Sequence, residues 1–192
     1  MSSYANKFLM AYGEEAIINR PTPINTKVSI KRSTRSSRDL GARESYWEGI
    51  ISYDVSLLSG EIITIRNSPF LVQSVNHDPA SGETAFFCAK CNAILCHKRI
   101  VETVDEDFHI ITSWQTIKND MPAFENIETY RLRQTPTGLL DSTKYVFQTS
   151  KAFDVQMLDR LVYNGKNYKP VSINDSLSGI VEIQAAFDER AD

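Results

Sequence analysis

The chain has 192 residues and a formal net charge of −3, with 42% of residues apolar and 23% charged. That balance suits a globular protein whose core needs no metal or disulfide support, and it excludes a molecule coated in cations for nucleic acid. No stretch approaches the roughly 18 consecutive apolar residues of a membrane helix, and three cysteines, an odd number, argue against a disulfide framework.

The first residues, MSSYANKFLMAYGEE, carry neither the charged start nor the apolar run of a secretory signal. The expectation is a cytoplasmic, reduced protein, or one assembled in the cytoplasm. Residues 3–12 predict one short helix: Ser3 caps it, Tyr4, Phe8, Leu9 and Tyr12 recur at helical spacing, and Gly13 stops it. After Pro23 the period changes to two, with Val28 and Ile30 set between Lys27, Ser29 and Lys31. Residues 31–45 are polar, rich in Ser and Arg, and read as a long loop or arm. Charge is segregated there. Between residues 27 and 43, Lys27, Lys31, Arg32, Arg35, Arg38 and Arg43 face Asp39 alone, so residues 27–43 are +5 and the rest of the chain −8.

From Tyr46 onward the chain reads as short strands: WEGIISYDV, EIITIR, FLVQSVN, TAFFCA, FHIITSW, ETYRLRQ, KYVFQT, RLVY, YKPVSIN and GIVEIQ. Asn67-Ser68, Ser81-Gly82, Thr137-Gly138, Asn164-Gly165 and Ser178-Gly179 supply the turns. Many short strands so punctuated indicate a sandwich or barrel, and no βαβ rhythm is present.

A weak duplication runs through this pattern at an offset of 98 residues. Glu61 aligns with Asp159, Ile63 with Leu161, Ile65 with Tyr163, Asn67 with Gly165 and Phe70 with Tyr168; Ser74-Val75-Asn76 meets Ser172-Ile173-Asn174. Each copy describes an acidic residue, a strand, a turn, a strand opening with an aromatic, and a third strand after a Ser-Gly turn. That is a three-stranded meander, which must pack on further strands to bury its apolar face. The fold class is therefore all-β: duplicated small β-barrel or sandwich modules with a short N-terminal helix. The expected divisions are 1–42 for the helix and basic arm, 43–100 for the first β module and 101–192 for the second.

Cys88, Cys91, Cys96 and His97 raise a zinc reading, since a Cys-x-x-Cys turn is a good half-site for a tetrahedral ion. All four fall within ten residues, whereas structural zinc draws its second pair from farther away, so core or turn thiols are the better expectation. His77, His97 and His109 belong to no recognisable nucleophile elbow, Walker loop or zinc-protease signature. The expectation is a protein that is not an enzyme and has no cofactor and no small-molecule substrate. Glu102, Asp105, Glu106 and Asp107 lack the spacing of a calcium loop and read as a solvated loop or subunit contact. Arg32, Arg35, Arg38 and Arg43 have three readings: a solvated loop, a contact with a neighbouring subunit, or transient contact with DNA phosphates in a channel.

The segments LLSGEIITIRNSPFLVQSVNHD and LDRLVYNGKNYKPVSINDSLSGIVEI resemble head-tail connector proteins of tailed phages, the stopper, adaptor and head-closure group. FFCAKCNAIL and RESYWEGIISYD are similar to segments flanking the first hairpin in such proteins. The resemblance covers residues 43–98 best and 158–187 second. It departs from the usual pattern at Asn67-Ser68-Pro69, where an Asn-Gly or Asp-Gly turn is usual, and at Leu158-Asp159-Arg160, where a Gly-Asp-Arg start is usual. It implies a structural virion protein, a neck subunit repeated in a ring beneath the portal, with identical subunits, portal or adaptor, and tail proteins as partners. A tail terminator or other tail-proximal ring protein is the alternative. A small zinc- or nucleic-acid-binding protein is the alternative from another class.

Overall fold

The computed structural model describes residues 4–33, 45–52, 54–78, 83–104, 108–126 and 143–190. Tyr4–Tyr12 form the helix α1. It ends where the Gly13 amide bonds the Leu9 carbonyl at 2.7 Å, at the glycine the sequence marks as a stop. Leu9 is buried, and the exposed rings of Phe8 and Tyr12 meet in a tilted contact with centroids 5.5 Å apart. The Lys27 ammonium donates to the Met10 carbonyl at 2.9 Å, placing a cation at the negative end of the helix.

The chain divides into two compact units, 1–91 with 176–180, and 92–175 with 181–192. The first holds β1 (Glu14–Ile18), β2 (Ile24–Arg32), β3 (Tyr46–Ser52), β4 (Ile62–Ile65), β5 (Ser68–Asp78) and β6 (Glu83–Lys90). They close into an antiparallel barrel in the order β1-β2-β3-β6-β5-β4, with β1 pairing back onto β4. The second holds β7 (Ala93–Val104), β8 (Ile110–Asn126), β9 (Tyr145–Ser150), β10 (Arg160–Tyr163), β11 (Lys166–Asn174) and β12 (Ile180–Phe187). Its closed order is β7-β8-β9-β12-β11-β10, the same topology repeated strand for strand.

The duplication read from the sequence is thus structural, and its offset of 98 residues holds in detail. β4 and β10 begin at Ile62 and Arg160, and both hairpins turn on two residues with left-handed backbone. These are Arg66 and Asn67 (φ 50° and 59°), and Asn164 and Gly165 (φ 49° and 72°). Two positive-φ residues give the turn whose twist matches the flanking strands. The first turn therefore sits one residue earlier than Asn67-Ser68, because Ser68 already pairs with Ile65. Each hairpin then carries a β-bulge, between Val72 and Ser74 and between Pro170 and Ser172.

Each barrel has its own core. The first packs Ile18, Val28, Ile51, Ile63, Ile65, Phe70, Val72 and Phe86. The second packs Leu95, Met121, Phe147, Leu161, Tyr168, Val181 and Ile183. Ile63 and Leu161, and Phe70 and Tyr168, occupy matching buried positions. Burial of each such side chain contributes about 1.5–3 kcal/mol.

Strand structure begins before Pro23, at Glu14. The alternation of Ala16 and Ile18 against exposed neighbours makes β1 a barrel strand, and without β1 and β2 the first sheet would not close. The second unit begins at Asn92, and β7 pairs with β8 from Ala93 and with β10 from Cys96 to Lys98. The strand read at ETYRLRQ and the turns at Ser81-Gly82 and Thr137-Gly138 lie outside the described residues.

Candidate assembly surface

The acidic residue that opens each repeat has a specific task. In the first barrel Glu61 accepts from the Leu58 amide at 2.9 Å and from the guanidinium of Arg20, which also donates to the Ser56 carbonyl. In the second, Asp159 accepts from the Gln156 amide at 2.7 Å and from Arg99 at 2.8 and 2.9 Å, and Arg99 also donates to the Asp154 carbonyl. Leu58 and Gln156, and Ser56 and Asp154, are again 98 residues apart. Each site is a staple: a carboxylate at the start of a strand ties the preceding loop to an arginine on or just beyond the strand alongside it.

The two staples differ in burial. Glu61 and Arg20 are partly exposed, while Asp159 is buried. At the position where Ile18 pairs with Ile63, the second barrel pairs His97 with Leu161. His97 is fully buried and its Nε2 lies 2.7 Å from Asp159 Oδ2. Its Nδ1 finds no hydrogen-bond partner among the described residues, so Nε2 carries the proton it donates. Burial pushes the Asp159 carboxyl upward, but the bonds from Arg99 and His97 outweigh it and hold the group well below the usual carboxylate range. The same network holds the Arg99 guanidinium above its ordinary value.

A second buried ion pair anchors the end of the chain. Arg160 is fully buried, where the matching residue in the first barrel is Ile62. Its Nε bonds Asp188 at 2.8 Å, and its guanidinium lies 4.0 Å from the Trp114 ring centroid. Arg190 also bonds Asp188 and lies 4.9 Å from the same ring. Burial acts to raise the Asp188 carboxyl, and the two arginines overcome it, lowering the group to about 2.

Trp114 belongs to the feature with no counterpart in the first barrel. β7 and β8 span 12 and 17 residues, against 5 and 9 for β1 and β2. β10 pairs with β7 only from Cys96 to Lys98, and β8 meets β9 at Phe124–Asn126. Between those limits, Arg99–Val104 and Ile110–Gln115 pair with each other, forming an arm that extends the barrel's two strands. The arm exposes apolar side chains. Val104 is 64% exposed, Phe108 89% and Ile110 69%, and Ile111 is also exposed. Clustered exposed apolar residues of this kind mark interaction surfaces.

The sequence-derived site residues fall elsewhere. Cys88 and Cys91 are buried thiols of the first unit, both pushed up to about 12 by burial, so both are protonated near neutrality. Cys96 and His97 belong to the second unit, where they alternate across β7. The Cys96 thiol donates to Asn119 Oδ1 at 3.6 Å, away from the His97–Asp159 bond. Among the described residues, no three His, Cys, Asp or Glu side chains gather as a metal site. His77 Nδ1 meets Thr84 Oγ1 at 2.9 Å. Arg32 ends β2 with its guanidinium 5.7 Å from the Trp47 ring centroid. Arg35, Arg38 and Arg43 lie outside the described residues, as do Asp105, Glu106 and Asp107; Glu102 is exposed on the arm, opposite Thr112.

A cleft of about 930 Å³ runs beside α1, lined by Leu9, Met10, Ile17 and Val55 together with Lys27, Asp54 and Arg66. Those charged groups are engaged: Arg66 with Glu14, Asp54 with Asn6, and Lys27 with the helix end. No protein-family model matches the chain, and no curated protein matches it in sequence.

Proposed function

We propose that this chain is a structural subunit of a tailed-phage neck, one of several identical copies arranged as a ring between head and tail. The observation that carries the reading is the β7–β8 arm, which presents apolar side chains that a solitary subunit leaves in water. Three further facts support it. The barrels are closed, so each repeat has its own core and manages its own strand edges. The ionisable groups brought together in the second barrel are held in buried structural bonds. The resemblance to connector proteins falls on both hairpins of the repeat, residues 43–98 and 158–187. On this reading the basic stretch with Arg32, Arg35, Arg38 and Arg43 contacts a neighbouring subunit in preference to channel DNA, since DNA must slide freely past a neck.

The test is location. Purified tailed particles should contain the chain in stoichiometric amounts by mass spectrometry, and imaging with a tagged copy should place it between head and tail. A tail-end position would favour the tail-terminator alternative. Absence from particles, or consumption of a substrate by the pure protein, would overturn the reading.

A further inference from the structure

We infer that Arg190 is a latch across the joint between the second barrel and its arm. While it is engaged the arm is held in one orientation, and when it lets go the arm moves while the barrel stays folded. The inference stands whether or not copies of the chain form a ring.

The joint is set by the pairing of β7 and β8. Two register irregularities fall in β7, between Leu95 and His97 and between His97 and Lys98. They lie where the pairing of β7 with β10 ends, at Lys98. A bulge interrupts the ladder and bends the strand, which leaves fewer bonds to resist movement at that point. Beyond it the arm is two strands wide, and a two-stranded hairpin is marginally stable by itself in water. Its order therefore depends on what holds its root.

Each strand of the root has an anchor. On β7, Arg99 donates to the Asp159 carboxylate and to the Asp154 carbonyl. On β8, Trp114 pairs with Ile100, one rung into the arm from the Arg99–Gln115 pair. Its ring centroid lies 4.0 Å from the Arg160 guanidinium and 4.9 Å from that of Arg190. Indole attracts a guanidinium more strongly than other aromatic rings do.

Arg190 bears on both anchors. Its guanidinium donates to the Leu158 carbonyl at 2.9 Å and to the Asp159 carbonyl at 3.1 Å, and the Asp159 side chain is the one that grips Arg99. It also reaches the Trp114 ring and bonds Asp188 at 2.8 Å, while its own carbonyl accepts from Arg160 at 2.6 Å. Arg160 and Asp188 have fully buried side chains and Arg190 is partly exposed, so Arg190 is the member that can let go without opening the core. The first barrel supplies the contrast. Counted back 98 residues, Arg160, Asp188 and Arg190 fall on Ile62, Lys90 and Asn92, which cannot build this cluster, and the barrel without the cluster has no arm.

Hydrogen exchange on the full chain, resolved by residue, tests this. In Arg190→Ala the amides that bond across the arm, within 100–104 and 110–114, should exchange roughly 10- to 100-fold faster, the expected consequence of losing hydrogen bonds made by a charged group. Core amides at Phe147, Tyr168 and Ile183 should exchange as in the wild type. Trp114→Leu should speed the same arm amides, and joined to Arg190→Ala it should add little, because both changes remove one contact. Arg190→Lys keeps the charge but loses the forked geometry, so it should fall between the wild type and Arg190→Ala; it takes the place of Arg190→Ala if that variant does not fold. Arm amides that exchange at the wild-type rate, core amides that accelerate as much as those of the arm, or effects of the two changes that add in full would each overturn the inference.

Discussion

The two barrels share a strand order, a turn, a bulge and an acid–arginine staple, and they differ in what fills the matching positions. Where the first barrel buries Ile18 and Ile62, the second buries His97 and Arg160. The residues preserved in both copies are those that fix backbone geometry. The residues that differ tie the second barrel to its arm and to the end of the chain, through Trp114, Asp188 and Arg190. A duplicated scaffold can thus tolerate exchange of an apolar side chain for an ionic one where the newcomer finds partners for each buried polar group.

The comparison breaks most visibly at Arg160. Arg160→Ala leaves Asp188 without its buried partner and Trp114 without its stacked cation, and should lower the stability of the second barrel by about 3–5 kcal/mol. The matching change, Ile62→Ala, removes apolar contacts only and should cost about 2–4 kcal/mol. Denaturant titration of the full chain, read with separate probes for each unit, distinguishes them; equal losses from one shared transition would show that the barrels do not unfold independently.

The staples come next. Asp159→Asn should destabilise by about 2–3 kcal/mol, because hydrogen bonds to a buried charge are the stronger kind. Glu61→Gln, at a partly exposed site, should cost about 1 kcal/mol or less.

Acid sharpens the same contrast. Asp159 and Asp188 have folded pKa values below their unfolded ones, so their stabilisation is complete above the unfolded carboxylate range and is lost as pH falls toward the folded values. The second barrel should therefore lose stability between about pH 4 and pH 2, and Asp159→Asn should flatten that dependence, as read by melting temperature against pH.

The smallest effect lies in the turns. Gly165→Ala forces a Cβ onto a left-handed residue with φ 72° and should cost about 1 kcal/mol, although nothing crowds the site. Asn67→Gly should stabilise the first hairpin by a few tenths of a kcal/mol in the same melting assay.

The sequence made the repeat legible because hairpins are local. Ile63 and Phe70, or Leu161 and Tyr168, sit within ten residues of one another, and the turn between them has its own chemistry. What it hid is non-local. Arg20 and Arg99 serve equivalent staples but are 79 residues apart, so they fall outside the offset of 98, and each reaches a carboxylate 41 or 60 residues away. β1 was hidden by brevity, since Ala16 and Ile18 alone carry its inward face. The arm was partly visible in FHIITSW, but its length was not, because only the end of the β10 pairing at Lys98 shows where the barrel stops. The Glu-x-x and Asp-x-x spacing back to Leu58 and Gln156 was present in both copies and is the signal by which the staple could have been found.

The protonated, buried state of Cys88 and Cys91 has a practical consequence. In the native chain the partly exposed Cys96 is the thiol open to a maleimide dye, and it sits on β7 three residues before the arm begins. A fluorophore can therefore be attached beside the arm without changing a single amino acid, and full unfolding should raise the number of alkylated thiols from one to three per molecule.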